Sequence, residues 1–230
     1  MRPLIRCLLL CFVFAHAAFA ANSHTRDVLD SWSRRMSETS AALKAEEYQR
    51  ALKLANRTIG EMVEMLGPGE ASAELFGIAL TQKAVAHAGL GETSEALWYW
   101  QLVSNLHPTV AEREASSCGA PGEMLLASSI EVPPMPGVGK TITPPEVRKR
   151  VKPKFPHGAN YYRVAGDLEV EVIITPDGKA CSPRIVKALA APTLSYVALE
   201  AVKRWKFEPA RAGGSAVPMV FNLTVNYKGR

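Results

Sequence analysis

The sequence predicts an α+β protein in which a helical N-terminal unit precedes a smaller unit of strands and helices. Apolar residues recur at helical spacing between residues 26 and 107. After residue 140 the clearest pattern is alternation with a period of two, which is typical of half-buried strands. Residues 21–140 contain 10 Lys and Arg against 15 Asp and Glu, whereas residues 141–230 contain 15 against 7. Two units joined end to end explain this change of charge.

Composition excludes several classes of protein. Hydrophobic residues make up 47% of the chain and charged residues 21%, so it can bury a core and is not disordered throughout. Four cysteines in 230 residues are too few for a disulfide-dense scaffold. The net charge of +5 is too small to indicate nucleic acid as a partner.

Residues 1–20 are predicted to be a signal peptide. Arg2 and Arg6 precede an apolar run, and Ala18-Phe19-Ala20 has the small-x-small pattern of a cleavage site. The uncharged run over residues 7–21 is shorter than the ~20 residues that span a bilayer. We therefore expect an exported protein that contacts membranes only indirectly. The alternative is an uncleaved anchor in the cytoplasmic membrane, facing the periplasm.

Cys118 and Cys181 remain after cleavage. In an oxidising compartment they form either a disulfide or two free thiols, and both alternatives stay open. The chain contains no Cys-x-x-Cys and no His-x-x-x-His spacing, so no metal site is predicted.

Residues 21–112 are predicted to be a helical domain. Residues 67–69 break the chain, helices are predicted over 71–88 and 93–106, and residues 89–92 form a tight turn between them. Pro108 ends the last helix, because a proline disfavours the helical conformation of the residue before it.

The second helical pair resembles a tetratricopeptide repeat. The resemblance rests on Leu80, Ala84, Gly91, Ala96, Trp100 and Pro108, while His87 and Val103 depart from the family pattern. It implies a small bundle with a groove for a partner, and Trp98 is the candidate groove contact. The alternative is a packing unit without a ligand.

Residues 113–145 are predicted to be a linker, because periodicity fails and Pro, Gly and Ser accumulate. Beyond it, alternation predicts a strand over 168–174, and residues 175–178 predict a turn. A short strand near 184–187 and a helix after Pro192 follow. The clearest strand runs from Val217 to Tyr227.

Several segments of the C-terminal unit form a specific pattern: residues 153–156 (Pro-Lys-Phe-Pro), 166–172, 177–178, 198–210 with Trp205-x-Phe207-x-Pro209-Ala210, and 213–219. In this pattern residues 146–230 resemble the C-terminal domain of the TonB family of bacterial energy transducers. The resemblance implies a three-stranded antiparallel sheet with two helices. It also implies a periplasmic domain that grips a plug-side peptide of outer-membrane receptors. Family transducers carry a membrane helix and a long spacer, which this chain replaces with a cleavable segment and a helical unit.

The last strand is the candidate docking edge for a partner peptide. A terminal strand tends to lie at a sheet edge, where a guest strand can complete the unpaired backbone groups. The candidate residues are Met219, Val220, Phe221, Asn222, Leu223, Thr224, Val225 and Asn226. The alternative is an edge that this chain itself caps or pairs.

No catalytic constellation and no cofactor motif is found, so the chain is predicted not to be an enzyme. The expected partner is a protein, namely an outer-membrane TonB-dependent receptor or another envelope protein, and not nucleic acid. A homodimer formed by strand exchange is a further alternative. Two other functions stay open: a scaffold without a transport role, and a membrane-anchored transducer if the N-terminus is uncleaved.

Overall fold

The computed structural model describes residues 3–65, 69–129, 141–156, 165–189 and 191–227, with side chains from residue 24 in the first helix and residue 72 in the third. Its helices are α1 (Pro3–Lys44), α2 (Tyr48–Met65), α3 (Gly69–Gly89), α4 (Thr93–Leu106), α5 (Pro108–Ala115), α6 (Gly119–Ala127) and α7 (Pro192–Val202). Its strands are β1 (Ile142–Thr143), β2 (Glu146–Lys149), β3 (Gly166–Ile174), β4 (Ala180–Lys187), β5 (Lys206–Glu208), β6 (Ala210–Ala212), β7 (Ser215–Val217) and β8 (Met219–Tyr227). The predicted α+β class is confirmed.

The helical unit is built around α3, which contacts each of the other five N-terminal helices that are described. Its most extensive contacts are with α4 and α2. The predicted helices over 71–88 and 93–106 are α3 and α4, and Gly91 supplies the positive φ of 74° in the turn between them. Gly89 lets Tyr48 of α2 approach closely, because a Cβ there would lie 2.4 Å from the Tyr48 ring. Tertiary packing thus fixes the helices that the periodicity predicts. Membership of the tetratricopeptide family stays a prediction.

The predicted linker contains regular structure. The end of α5 and the whole of α6 lie within 113–129, and both helices pack against α3. They have eight and nine residues, which is too short for a helical period to stand out in the sequence. Residues 130–140 lie outside the described part.

Helix α1 includes residues 3–20 of the predicted signal peptide, and the side chains of residues 1–23 lie outside the described ones. Within the described residues, no helix combines the length and the apolar character needed to cross a membrane.

The main sheet of the C-terminal unit has the order β4-β3-β8, and both pairings are antiparallel. Leu168, Val170 and Val172 of β3 are buried on the face that carries α7, while Glu169 and Glu171 point to the other face. Two smaller ladders, β1-β6-β7 and β2-β5, flank this sheet. The region thus contains the predicted three antiparallel strands, and α7 is its one helix among the described residues.

Two strand boundaries differ from the prediction. The predicted last strand is divided at Pro218 into β7, which pairs with β6, and β8, which pairs with β3. Proline lacks a backbone N–H and therefore marks the change of partner. Strand β4 begins at Ala180 and continues through Pro183, because a proline is tolerated on an edge strand when its nitrogen faces away from the ladder.

The turn between β3 and β4 depends on Gly178. Its φ is 75°, and a Cβ there would lie 2.2 Å from the carbonyl oxygen of Phe207. The Phe207 N–H also donates to the Gly178 carbonyl over 3.1 Å, so the turn and β5 hold each other.

We expect Gly178→Ala to lower the free energy of unfolding by about 3 kcal/mol, because it combines left-handed strain with a backbone clash. Gly213→Ala is the matched control, since Gly213 also has a positive φ of 59° but open space around it. The control should lose about 1 kcal/mol, the cost of the strain alone. Urea denaturation measures both, and equal losses would contradict the clash.

Candidate functional site

The predicted docking residues form β8, an edge strand of the main sheet. Strand β8 pairs with β3 over its whole length, from Gly166 opposite Tyr227 to Ile174 opposite Met219. No strand of the described residues pairs with its other side. The edge position of β8 therefore agrees with the sequence prediction, and its use for docking remains to be tested.

The bonding of β4 shows which backbone groups of β8 face outward. The Ile185 N–H donates to the side-chain oxygen of Asn105 over 3.1 Å, so it points away from β3. Val170 pairs with Ile185, and its own N–H and C=O therefore point toward β8, where Leu223 is opposite. Along a strand, the N–H and C=O groups of successive residues point to opposite sides in turn. The odd-numbered residues of β8 thus bond to β3, and the even-numbered residues direct their N–H and C=O to the free edge.

Side chains of β8 alternate in the same register. Leu223, Val225 and Tyr227 are buried beneath the sheet, whereas the even-numbered positions from Val220 to Asn226 are exposed. The Asn226 amide donates to Asp167 Oδ1 over 2.6 Å and links the exposed faces of β8 and β3. A guest strand would therefore meet a row of backbone groups bordered by one valine and three small polar side chains.

Aromatic residues near both ends of the C-terminal unit hold β8 in place. The Phe155 ring lies 4.1 Å from the Tyr227 ring, measured between centroids, and Phe207 contacts Phe221 at 6.2 Å. The Trp205 indole N–H donates to the Val151 carbonyl over 2.9 Å. The Pro-Lys-Phe-Pro and Trp-x-Phe segments singled out in the sequence therefore position the edge strand.

The opposite edge of the sheet, along β4, is closed. Helix α4 packs against β4, and Asn105 of α4 satisfies the outward N–H of Ile185. The Asn105 amide nitrogen donates to the Gln101 carbonyl over 2.7 Å, which fixes the side chain in this orientation. Pro183 contributes no N–H at all. Of the two edges, β8 is the one that the described residues leave unpaired.

Acidic side chains on the open face of the sheet are neutralised locally. Glu171 is paired with Arg184, and Glu169 lies 3.7 Å from Lys187, in both cases across β3 and β4. These cross-strand pairs are partly exposed to solvent, and they stabilise the sheet modestly. They leave the face without a concentrated charge.

A buried polar cluster joins the two units. Lys83 of α3 is 5% exposed, donates to the Tyr196 hydroxyl over 3.2 Å and lies 3.9 Å from the centre of the Tyr99 ring. Nearby, Lys203, which directly follows α7, forms a salt bridge with Glu95 of α4. Burial lowers the pKa of Lys83 to about 8, and burial also raises the pKa values of Tyr99 and Tyr196.

Trp98 does not lie on a free groove of the helical unit. It is 3% exposed and lines a cleft between α4 and the turn that joins β3 to β4. Residues 97 and 98 therefore face the C-terminal unit, which periodicity within one helix does not reveal. Contact between Trp98 and a ligand remains a prediction.

Cys118 and Cys181 are both free thiols in the structure, so the disulfide alternative is not the one observed. The Cys118 thiol donates to the Glu114 carbonyl over 3.2 Å, and the Cys181 thiol donates to the Ile173 carbonyl over 3.5 Å. Burial raises the pKa of each thiol above its ordinary value. Each thiol thus has its own backbone partner on a different unit.

Comparison with known proteins finds a family match in the C-terminal unit. Residues 151–228 match the family model for the Gram-negative bacterial TonB protein C-terminal. The match covers about a third of the chain and includes both the aromatic segments and β8. We call this region the TonB-like domain below.

Several curated proteins are similar to the same region. Protein TonB of Escherichia coli (strain K12) is 30% identical over 80 residues, which cover 34% of this chain and 34% of the relative. Protein TonB of Klebsiella pneumoniae is 28% identical over 82 residues, covering 36% and 33% respectively. Protein TonB of Yersinia enterocolitica is 28% identical over 89 residues, covering 39% and 34%. The chain spans about a third of the length of the curated relatives it matches.

Amide hydrogen exchange tests the assignment of the two edges. We expect the amides of Asn222 and Thr224 to exchange fast and those of Leu223 and Val225 to exchange slowly, because only the latter bond to β3. Ile185 should be protected although it lies on an edge strand. Asn105→Ala should increase exchange at Ile185, and Asn222→Ala is the control that should not. Slow exchange at Asn222 and Thr224 in the free protein would show that the β8 edge is covered.

The buried lysine predicts a specific pH dependence of stability. Lys83 keeps its proton up to about pH 8 when folded but up to its ordinary pKa of 10.5 when unfolded. Between these values the unfolded chain binds more protons, so a rise in pH stabilises the folded protein. Relative to Lys83→Met, the wild type should gain about 2 kcal/mol between pH ~7 and ~9.5 in the free energy of unfolding. A difference that stays constant with pH would contradict the burial of a protonated amine.

Proposed function

We propose that this chain is a periplasmic TonB-like binding protein that docks an extended peptide along β8 by strand addition. The partner is an outer-membrane receptor or another protein of the cell envelope. Docking links the chain to TonB-dependent transport. The helical unit presents the TonB-like domain and closes its second edge.

The unpaired outer side of β8 is the observation that carries this proposal. Four even-numbered residues, from Val220 to Asn226, direct backbone donors and acceptors away from β3. A guest strand gains main-chain hydrogen bonds there, and alternate side-chain positions supply its specificity. Because the exposed side chains of β8 are small, they leave room for a second backbone about 5 Å away.

Similarity to proteins named TonB supports the class of partner. The matched region contains the complete β4-β3-β8 sheet, so the part of the relatives that is shared is the part that bears the open edge. The helical unit lies outside the family match. A transport role therefore rests on the TonB-like domain alone.

Proline substitutions at outward positions test strand addition. Val220→Pro and Asn222→Pro each remove a donor from the free edge but no ladder bond to β3. We expect each variant to bind plug-side receptor peptides at least about tenfold more weakly, since a lost main-chain hydrogen bond and a displaced backbone together cost about 1.4 kcal/mol or more. Fluorescence anisotropy of labelled peptides measures the Kd.

Matched alanine variants separate the backbone from the side chain. Val220→Ala and Asn222→Ala keep the N–H group and should bind within about threefold of the wild type. Thermal denaturation of the four variants is the control for folding. Equal affinity of the proline variants and the wild type would rule out docking along β8 and would leave a scaffold role for the chain.

A further inference from the structure

The free edge of β8 continues beyond Pro218 into β7. Strand β7 is the last in the order β1-β6-β7, and β8 is the last in the order β4-β3-β8, so each is an edge strand of its sheet. Pro218 alone separates the two strands. The three residues of β7 and the nine of β8 thus belong to one edge segment, residues 215–227, which is about 40 Å long when extended.

The hairpin between β6 and β7 shows which backbone groups of β7 face outward. Its two turn residues, 213–214, have φ values of 59° and 89°, as in the two-residue turns that join paired strands. Such a turn is closed by hydrogen bonds between the flanking residues, here Ala212 and Ser215. Because bonding alternates along a strand, Ser215 and Val217 bond to β6, and Ala216 directs its N–H and C=O to the other side.

The outward side of β7 is also the outward side of β8. Val217 bonds to β6 and Met219 bonds to β3, and they are two positions apart, so both ladders lie on the same side of the segment. The contact of Phe207 with Gly178 supports this arrangement, since it joins the turn after β3 to the chain that leads into β6. Ala216 therefore faces the same way as the even-numbered residues of β8. Within the described part of the chain, no strand or turn bonds to its backbone there.

Side chains on the open face of this segment change in character along its length. The even-numbered positions carry three apolar and then three uncharged polar side chains, namely Ala216, Pro218, Val220, Asn222, Thr224 and Asn226. The first is half-buried and the others are exposed. Side chains directly opposite each other on paired strands contact one another. The edge therefore fits a guest strand with apolar side chains beside β7 and small polar side chains beside the end of β8.

We propose that the partner segment pairs with β7 as well as with β8, and that it is an extended, uncharged peptide of about twelve residues. Pairing with β8 alone would need about nine residues. Strand β7 adds the N–H and C=O of Ala216 to the docking edge, and Pro218 adds a carbonyl but no N–H. One carbonyl of the guest therefore stays in contact with water opposite Pro218. Docking of this kind rests on the proposed function of β8 and extends it to a longer partner segment.

Selected peptides test the length of the segment. The probes come from a phage-displayed library of random twelve-residue peptides, selected on the immobilised chain and then synthesised with capped ends. Those that Asn222→Pro binds at least about tenfold more weakly are kept, because this loss shows that they dock on β8. Fluorescence anisotropy measures each Kd. We expect Ala216→Pro to weaken the binding of the kept peptides about tenfold as well, since it removes a donor from β7 but no bond to β6.

Shortened peptides and a matched variant locate the loss. Each kept peptide is shortened by three residues at either end in turn, and the form that lacks the end beside β7 should bind about tenfold more weakly than the full peptide. Ala216→Pro should not weaken the binding of that shortened form any further, because the contact is already absent. Ala216→Ser keeps the N–H, so it should weaken the binding of the full peptide at most about threefold. Thermal denaturation of both variants is the control for folding.

Three results would overturn the proposal, and they differ in what they leave standing. The first is that Ala216→Pro binds the kept peptides as tightly as the wild type does, which limits docking to β8 and leaves the proposed function intact. The second is that Ala216→Pro weakens the full peptide and both shortened forms equally, which shows an indirect effect on β8. The third is that no library peptide is sensitive to Asn222→Pro, which contradicts docking along β8 itself.

Discussion

The packing of α4 along β4 is the contact on which the rest of the structure depends. A three-stranded sheet has two edges, and an unprotected edge invites pairing with any available strand. Asn105 satisfies the outward N–H of Ile185, and Pro183 has none, so neither position of the β4 edge offers an N–H to a guest strand. The same helix lines the cleft at Trp98 and places the Tyr99 ring against the buried Lys83. The packing of α4 therefore decides which edge of the sheet stays open.

Polar groups hold that interface at some cost in stability. Lys83 is buried as an ammonium group at neutral pH, and burial disfavours this charge and lowers its pKa to about 8. The Tyr196 hydroxyl and the face of the Tyr99 ring offset part of this cost. The hydrogen bond from Lys83 to Tyr196 and the Glu95–Lys203 pair both join the helical unit to the TonB-like domain. Removing one partner of such a contact would leave the other polar group buried without compensation.

The spacing of apolar residues along the chain predicts the longer helices and strands of the fold. Helical spacing gave α3 and α4, and alternation gave β3 and the span of β8, including its place at the end of the chain. These patterns do not predict the division of the last strand at Pro218. They also miss the short helices α5 and α6, which have too few residues for a helical repeat of apolar positions to stand out. The interface left no signal because its partners are distant in sequence: Asn105 and Ile185 are 80 residues apart, and Lys83 and Tyr196 are 113 apart. The sequence predicts Trp98 as a contact in a groove of the helical unit, but in the structure Trp98 faces the turn between β3 and β4 of the C-terminal unit.

The docking edge and the cleft beside α4 are connected through one strand. Ile173 of β3 lies opposite Cys181 at the cleft and opposite Val220 on the docking edge. Coupling between sites requires an element with two arrangements that each ligand favours differently. Strand β3 is bonded along both sides, and its buried side chains lie in the same core as α7, so the described structure shows one arrangement of it. A peptide that pairs with β8 would therefore leave the contact between α4 and β4 as it is.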